Sequence, residues 1–120
     1  MDYALGMLIV VAELGEYQNE AEKLLSEDER SEIITYLSAR PKAGVLITGT
    51  GGVRKLRWGR GDKGKSGGVR VIYYFHSDVM PLYLISIFAK NEKDNLTKEE
   101  RNSMAEITDY LTSVWIGKKK

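Results

Sequence analysis

An α+β fold, with its helices on one side of a sheet, is what this 120-residue sequence predicts. Two S/T-x-x-E patterns, Ser26 with Glu29 and Thr97 with Glu100, each open a stretch of apolar residues at helical spacing. Two runs rich in β-branched and aromatic residues, Val69 to Phe75 and Leu82 to Ala89, have strand length and are joined by a turn containing Ser77, Asp78 and Pro81. These two strands should pair antiparallel.

Taken in order, Leu8 to Ala12 is a short continuous apolar run, expected as a strand buried on both faces. In Glu13 to Leu25, Leu14, Tyr17, Ala21 and Leu24 recur at helical spacing. A second helix starts after Ser26, carries Ile33, Ile34 and Leu37, and stops near Ala39, because Pro41 disfavours helical geometry at Arg40. The two helices should form a hairpin. Nine of the twelve glycines lie between Gly44 and Gly68, separating a short piece, Val45 to Thr48, from a strand at Val53 to Trp58. Within that strand Lys55 and Arg57 alternate with Leu56 and Trp58, so the cations share one face and the apolar pair enters the core. Gly59 to Gly68 reads as a loop. Met104, Ile107, Leu111 and Val114 mark a last helix that ends before Gly117, and Lys118 to Lys120 read as a solubilising tail.

Length and composition fit one domain with one modest core, over about residues 8–115. There is no cysteine and a single histidine, His76, so a disulfide framework and a zinc cluster both lose support. The apolar run from Met7 to Ala12 is too short for a signal or a membrane span, which makes the cytoplasm the expected compartment. Charge is segregated along the chain: Met1 to Glu32 holds nine acids against two bases, whereas Arg54 to Arg70 holds seven bases and one acid, Asp62. A formal net charge of +1 gathered in this way suits a local phosphate-binding site better than indiscriminate coating of nucleic acid.

Gly59 to Ser66 spells the phosphate-loop pattern G-x-x-x-x-G-K-S, but that cradle works only where the loop opens a helix, and here a strand follows. Arg60, Lys63 and Lys65 are flanked by glycine, so a solvated hairpin tip explains them as readily as phosphate binding does. Lys55, Arg57 and Arg70 differ, because strands fix their direction, and like charges brought together across a sheet destabilise it unless they serve a function. His76, at a strand end with no second histidine, reads as structural or surface-exposed. Most aromatics fall at core spacing and Trp115 reads as packing. One of Tyr73 and Tyr74 should be exposed, and Tyr74 is the candidate for stacking on RNA bases.

The runs GTGGVRKLRW, GKSGGVRVIYYF and LYLISIFAKNEKDNLTKEE, with AEKLLSEDER and the PKAG turn before them, resemble the HigB-like branch of the RelE/ParE superfamily of type II toxins over about Leu8 to Leu111. The resemblance implies a small twisted, mainly antiparallel sheet with two N-terminal helices on one face. It also implies cleavage of mRNA on a translating ribosome, and silencing by a cognate antitoxin that commonly carries a helix-turn-helix domain and represses its promoter through the complex. Promoter DNA would then be a partner only through that complex. Carried over position by position, the basic catalytic residues fall on Lys55 and Arg57, the arginine opening the next strand on Arg70, and the basic residue ending the last strand on Lys90. Arg54, Arg60, Lys63, Lys65 and Tyr74 are the candidates for RNA or ribosome contact. Some relatives have an arginine where this chain has Asn91 and a catalytic tyrosine where it has Leu96 and Thr97.

On this reading the 2′-hydroxyl attacks the adjacent phosphate, with arginine neutralising the developing charge. No metal or other cofactor is expected. Lys55 is the candidate to take the hydroxyl proton and Lys90 to protonate the leaving oxygen. Two other functions compete: a gyrase poison of the ParE type, which has no need of cations inside the sheet, and a non-catalytic nucleic-acid-binding module, which would want a helix with a basic recognition face.

Overall fold

Ser26 and Thr97 cap their helices as their spacing predicts. Each hydroxyl accepts a bond from the glutamate N–H three residues on, at 3.1 Å in both boxes. Each glutamate carboxylate accepts the cap residue's own N–H, at 2.9 and 2.8 Å. Four amides that a helix start would leave unpaired are thereby satisfied. The computed structural model describes residues 8–59 and 68–117. In chain order its elements are β1 (Val11–Glu13), α1 (Gly15–Leu24), α2 (Glu27–Ala39), β2 (Val45–Leu46), β3 (Val53–Trp58), β4 (Val69–Tyr74), β5 (Leu82–Ala89) and α3 (Lys98–Trp115). The architecture is α+β, as expected.

The five strands form one sheet in the order β1-β5-β4-β3-β2, parallel between β1 and β5 and antiparallel elsewhere. Because neighbouring residues of a strand point to opposite faces, the sheet carries two cores. On one face Leu56, Val71, Tyr73, Leu82 and Leu84 pack with Tyr17, Ala21, Ile33 and Leu37 of α1 and α2. On the other, Val53, Ile72, Tyr74 and Phe88 pack with Met104 and Leu111 of α3. Each fully buried aliphatic side chain among these contributes roughly 1.5–3 kcal/mol relative to exposure. A bulge in β5 leaves Ile85 without a ladder partner, since Ile72 faces Ser86 and Tyr73 faces Leu84. The bulge resets the alternation so that Ile87 and Phe88 rejoin their respective cores. None of the described helices is long and apolar enough to cross a membrane.

Four expectations are corrected. The helices do not lie on one side, because α3 covers the face opposite α1 and α2. The first strand is β1, later and shorter than Leu8 to Ala12. It is an edge strand, only partly buried, with Val10 exposed before it. The second sheet edge is also shorter than Val45 to Thr48. Thr50 ends it by donating to the Ile47 carbonyl and accepting the Val53 N–H, which folds residues 47–53 into a turn with Gly49, Gly51 and Gly52 at positive φ. Trp115 is half exposed rather than packed, and its indole N–H donates to the Tyr83 hydroxyl at 2.7 Å.

Gly68 sets the close approach of β3 and β4. A Cβ built there would lie 2.0 Å from the Trp58 carbonyl oxygen and 3.0 Å from the Gly59 Cα, both backbone atoms that cannot swing aside. Its own carbonyl accepts the Lys90 N–H at 3.0 Å, so the same residue ties the end of β5 to the start of β4. Gly68→Ala is therefore expected to destabilise the protein by roughly 1–3 kcal/mol, the usual cost of overpacking. The check is a urea unfolding curve, with the midpoint lowered and the slope unchanged.

Candidate active site

Register decides which cations meet. Across β3 and β4, Arg57 stands directly opposite Arg70, and Lys55 opposite Ile72. All three share the face that α3 covers further along, where Val53, Ile72 and Tyr74 lie. Leu56 is buried on the other face, and Trp58 packs there edge-on to Tyr36 of α2, with ring centroids 5.4 Å apart. Lys90 follows β5 directly and is exposed. The structure thus brings together the ends of three adjacent strands, and with them Lys55, Arg57, Arg70 and Lys90.

A loop not anticipated from the sequence closes over this cluster. Between β5 and α3 the chain crosses the cation face, and the Arg70 Nε donates to Asp94 Oδ1 at 2.7 Å. A second Arg70 nitrogen donates to the Val69 carbonyl at 3.3 Å. The Lys55 Nζ donates to the Asp94 carbonyl at 3.0 Å and to Asn95 Oδ1 at 2.6 Å. Arg70 is 1% exposed, while the Asp94 side chain is 40% exposed and Arg57 is exposed. Two arginines directly opposite on a sheet repel one another, and a buried guanidinium needs a counter-charge, so Asp94 supplies what the strand pairing lacks. The hydrogen bond from Arg70 holds the Asp94 carboxyl below the usual carboxylate range, against the opposing effect of desolvation, and the charges of Arg70, Lys55 and Lys90 add to it.

That depression has a definite pH sign. A carboxylate lowered in the folded state stabilises the fold above its unfolded value, near 3.9 for aspartate, and the contribution is lost as pH falls through the folded value. Comparing wild type with Asp94→Asn, the difference in melting temperature should stay constant from about pH 5 to 8 and close in stronger acid. Thermal unfolding across that range checks it.

The remaining candidates are placed elsewhere. Arg54 points to the α1 and α2 face, where its guanidinium donates to the carbonyls of Gly44 at 2.8 Å and Lys42 at 3.2 Å, clasping the turn after α2. Tyr73 completes that clasp by donating to the Pro41 carbonyl and accepting the Gly44 N–H, each at 2.8 Å. The expectation that one of the paired tyrosines is exposed fails, because both sheet faces are covered. Tyr74 is 5% exposed, with its hydroxyl 2.6 Å from Thr112 of α3, and has no ring face free for a base. His76 is exposed and bonds Ser77, away from the cation cluster. Arg60, Lys63 and Lys65 lie outside the described residues, as does all of the phosphate-loop spelling except Gly59. The next described element after it is β4, a strand. Among the described residues no group of three or more histidines, cysteines or carboxylates stands together to hold a metal ion.

One comparison bears directly on this arrangement. The family described as the RelE toxin of the RelE / RelB toxin-antitoxin system matches residues 44–116, more than half of the chain. The chain belongs to the RelE toxin family. It is therefore the toxin of a toxin–antitoxin system, and an antitoxin is its partner. The matched span runs from the turn before β2 to the end of α3 and contains every cation of the cluster together with the Asp94 loop, whereas β1, α1 and α2 precede it.

Proposed function

We propose that this RelE toxin is a ribosome-dependent mRNA endonuclease, acting in the cytoplasm through attack of a 2′-hydroxyl on the adjacent phosphate. The observation that carries the reading is the grouping of Lys55, Arg57 and Arg70 on one sheet face, with Lys90 just past the end of the neighbouring strand and its charge acting on the same Asp94. Cations placed inside and beside a sheet at a cost in repulsion serve charge that develops in a reaction better than they serve a protein contact.

In this mechanism the new bond joins the 2′ oxygen to phosphorus and the broken bond releases the 5′ oxygen. Arg57 and Lys90, both exposed, meet the phosphate. Arg70 lies beneath them, where low solvent exposure strengthens its field on the pentavalent phosphorus. Lys55 takes the hydroxyl proton on its amine lone pair while its N–H groups stay on the Asp94 carbonyl and Asn95, and the Lys90 ammonium gives its proton to the leaving oxygen. Arg60, Lys63 and Lys65 add sequence-independent attraction to ribosomal RNA, screened by salt. The antitoxin, read by resemblance to the HigB-like branch, carries a helix-turn-helix domain and brings the pair to its own promoter.

Primer extension on message from a translating extract tests the reading. New 5′ ends that depend on the toxin support it. Intact message together with arrested replication would point instead to a gyrase poison.

A further inference from the structure

We propose that Asp94 is a positioning residue of this site: one loop residue sets both the Arg70 guanidinium, through its carboxylate, and the Lys55 side-chain nitrogen, through its carbonyl. The inference rests on the nuclease reading and adds to it a residue that touches no substrate. Its geometric basis is the pair of contacts from β4 and β3 onto the same residue, at 2.7 and 3.0 Å. Asn95 beside it takes a second bond from Lys55.

The loop is built to hold still. On its β5 side the N–H groups of Glu92 and Lys93 donate to the Ala89 carbonyl, at 3.0 and 3.3 Å. On its helix side Lys93 is ion-paired with Glu100, the residue that also closes the Thr97 capping box of α3. The Lys93 ammonium further sits 5.0 Å from the centre of the Phe88 ring, and Phe88 is the cross-strand partner of Arg70. Asp94 is thus anchored from two elements and presents its carboxylate to a third. Preorganised charges need no rearrangement as the reaction proceeds, which is where a positioning residue acts on rate.

Asp94 does not cancel the site's positive field. Four cations, Lys55, Arg57, Arg70 and Lys90, stand against this one carboxylate. Removing the acid therefore leaves the face more positive, and a phosphate polymer should bind it at least as well. A residue that competed with phosphate for Arg70 would behave differently, since its loss would raise binding and rate together.

The test is single-turnover cleavage of ribosome-bound message by Asp94→Ala, Asp94→Asn and wild type, with toxin concentration varied. Asp94→Ala should lose at least tenfold in maximal rate, while the half-saturating concentration stays equal or falls. Asp94→Asn, which keeps the shape and an oxygen acceptor, should recover part of the rate. In parallel, the Nε–H resonance of Arg70 should exchange slowly in wild type and rapidly in Asp94→Ala. That readout is independent of activity. If wild type cleaves and Asp94→Ala cleaves as fast or faster, or if the Arg70 resonance is unaltered, the assignment is overturned. A wild-type protein that cleaves nothing overturns the nuclease reading instead, and with it any role for Asp94 in cleavage, whatever the Arg70 resonance does.

Discussion

Arg70→Ala is expected to abolish message cleavage, a loss of about 3 kcal/mol or more of transition-state stabilisation, or at least roughly 100-fold in rate. Arg70 stands in a strand whose other residues are all buried, opposite Arg57, with its side chain held by Asp94 and by the Val69 carbonyl. Charge fixed so closely in a site with little water is worth more than the same charge in solvent. The alanine variant also leaves Asp94 without its arginine, so thermal unfolding and antitoxin binding need to be measured beside activity. Arg70→Met fills the same volume and separates packing from charge. Arg70→Lys should rescue little, because an ammonium cannot reproduce the spread of guanidinium donors that reaches Asp94 and Val69 together. Near-wild-type cleavage by the alanine variant would remove Arg70 from the site.

The second large effect is expected at Lys55. Loss of a positioned proton acceptor costs on the order of 100- to 10,000-fold. Lys55→Ala should fall in that range while staying folded, since the side chain is only partly buried and Leu56 and Trp58 still hold β3 to α2. Single-turnover cleavage should be lost in Lys55→Ala and kept in His76→Ala. His76 is exposed and bonded to Ser77, which leaves it no path to the cluster. Cleavage that survives loss of Lys55 and vanishes with His76 would reverse the assignment. Full cleavage by both variants would assign the work to alignment by the arginines and the ribosome.

Both capping boxes, the ends of α2 and the spans of β3, β4 and β5 were legible in the sequence, because hydroxyl-to-glutamate spacing and β-branched runs are local signals. The alternation that puts Lys55 and Arg57 on one face was legible for the same reason. What local signals do not carry is which face each helix covers. The stripe on α3 looks like those on α1 and α2, and only the parity of β3 and β4 against each core separates them. The tyrosine pair was misjudged as a consequence: a sheet covered on both faces buries Tyr73 and Tyr74 alike.

At the site, Asp94 and Asn95 were missed, and one signal pointed to them. An arginine within V-R-V-I-Y-Y is headed for burial, and buried arginines are almost always paired. The loop KNEKDN after β5 offers two acids for that pairing, Glu92 and Asp94, and choosing between them requires the path of the loop. Arg54 was expected among the RNA-facing residues, but strand parity sends it to the opposite face, where carbonyls of the turn after α2 occupy it.

On the proposed mechanism the cation face drives transesterification by the message's own 2′-hydroxyl on the ribosome. End-group analysis of message incubated with purified toxin, with and without translating ribosomes, addresses it most directly. Fragments are expected only when ribosomes translate, with 2′,3′-cyclic phosphate on the upstream piece, 5′-hydroxyl on the downstream piece, and neither formed by Arg70→Ala. Fragments carrying a 5′-phosphate, equal cleavage of free message, or intact message under translation would contradict it.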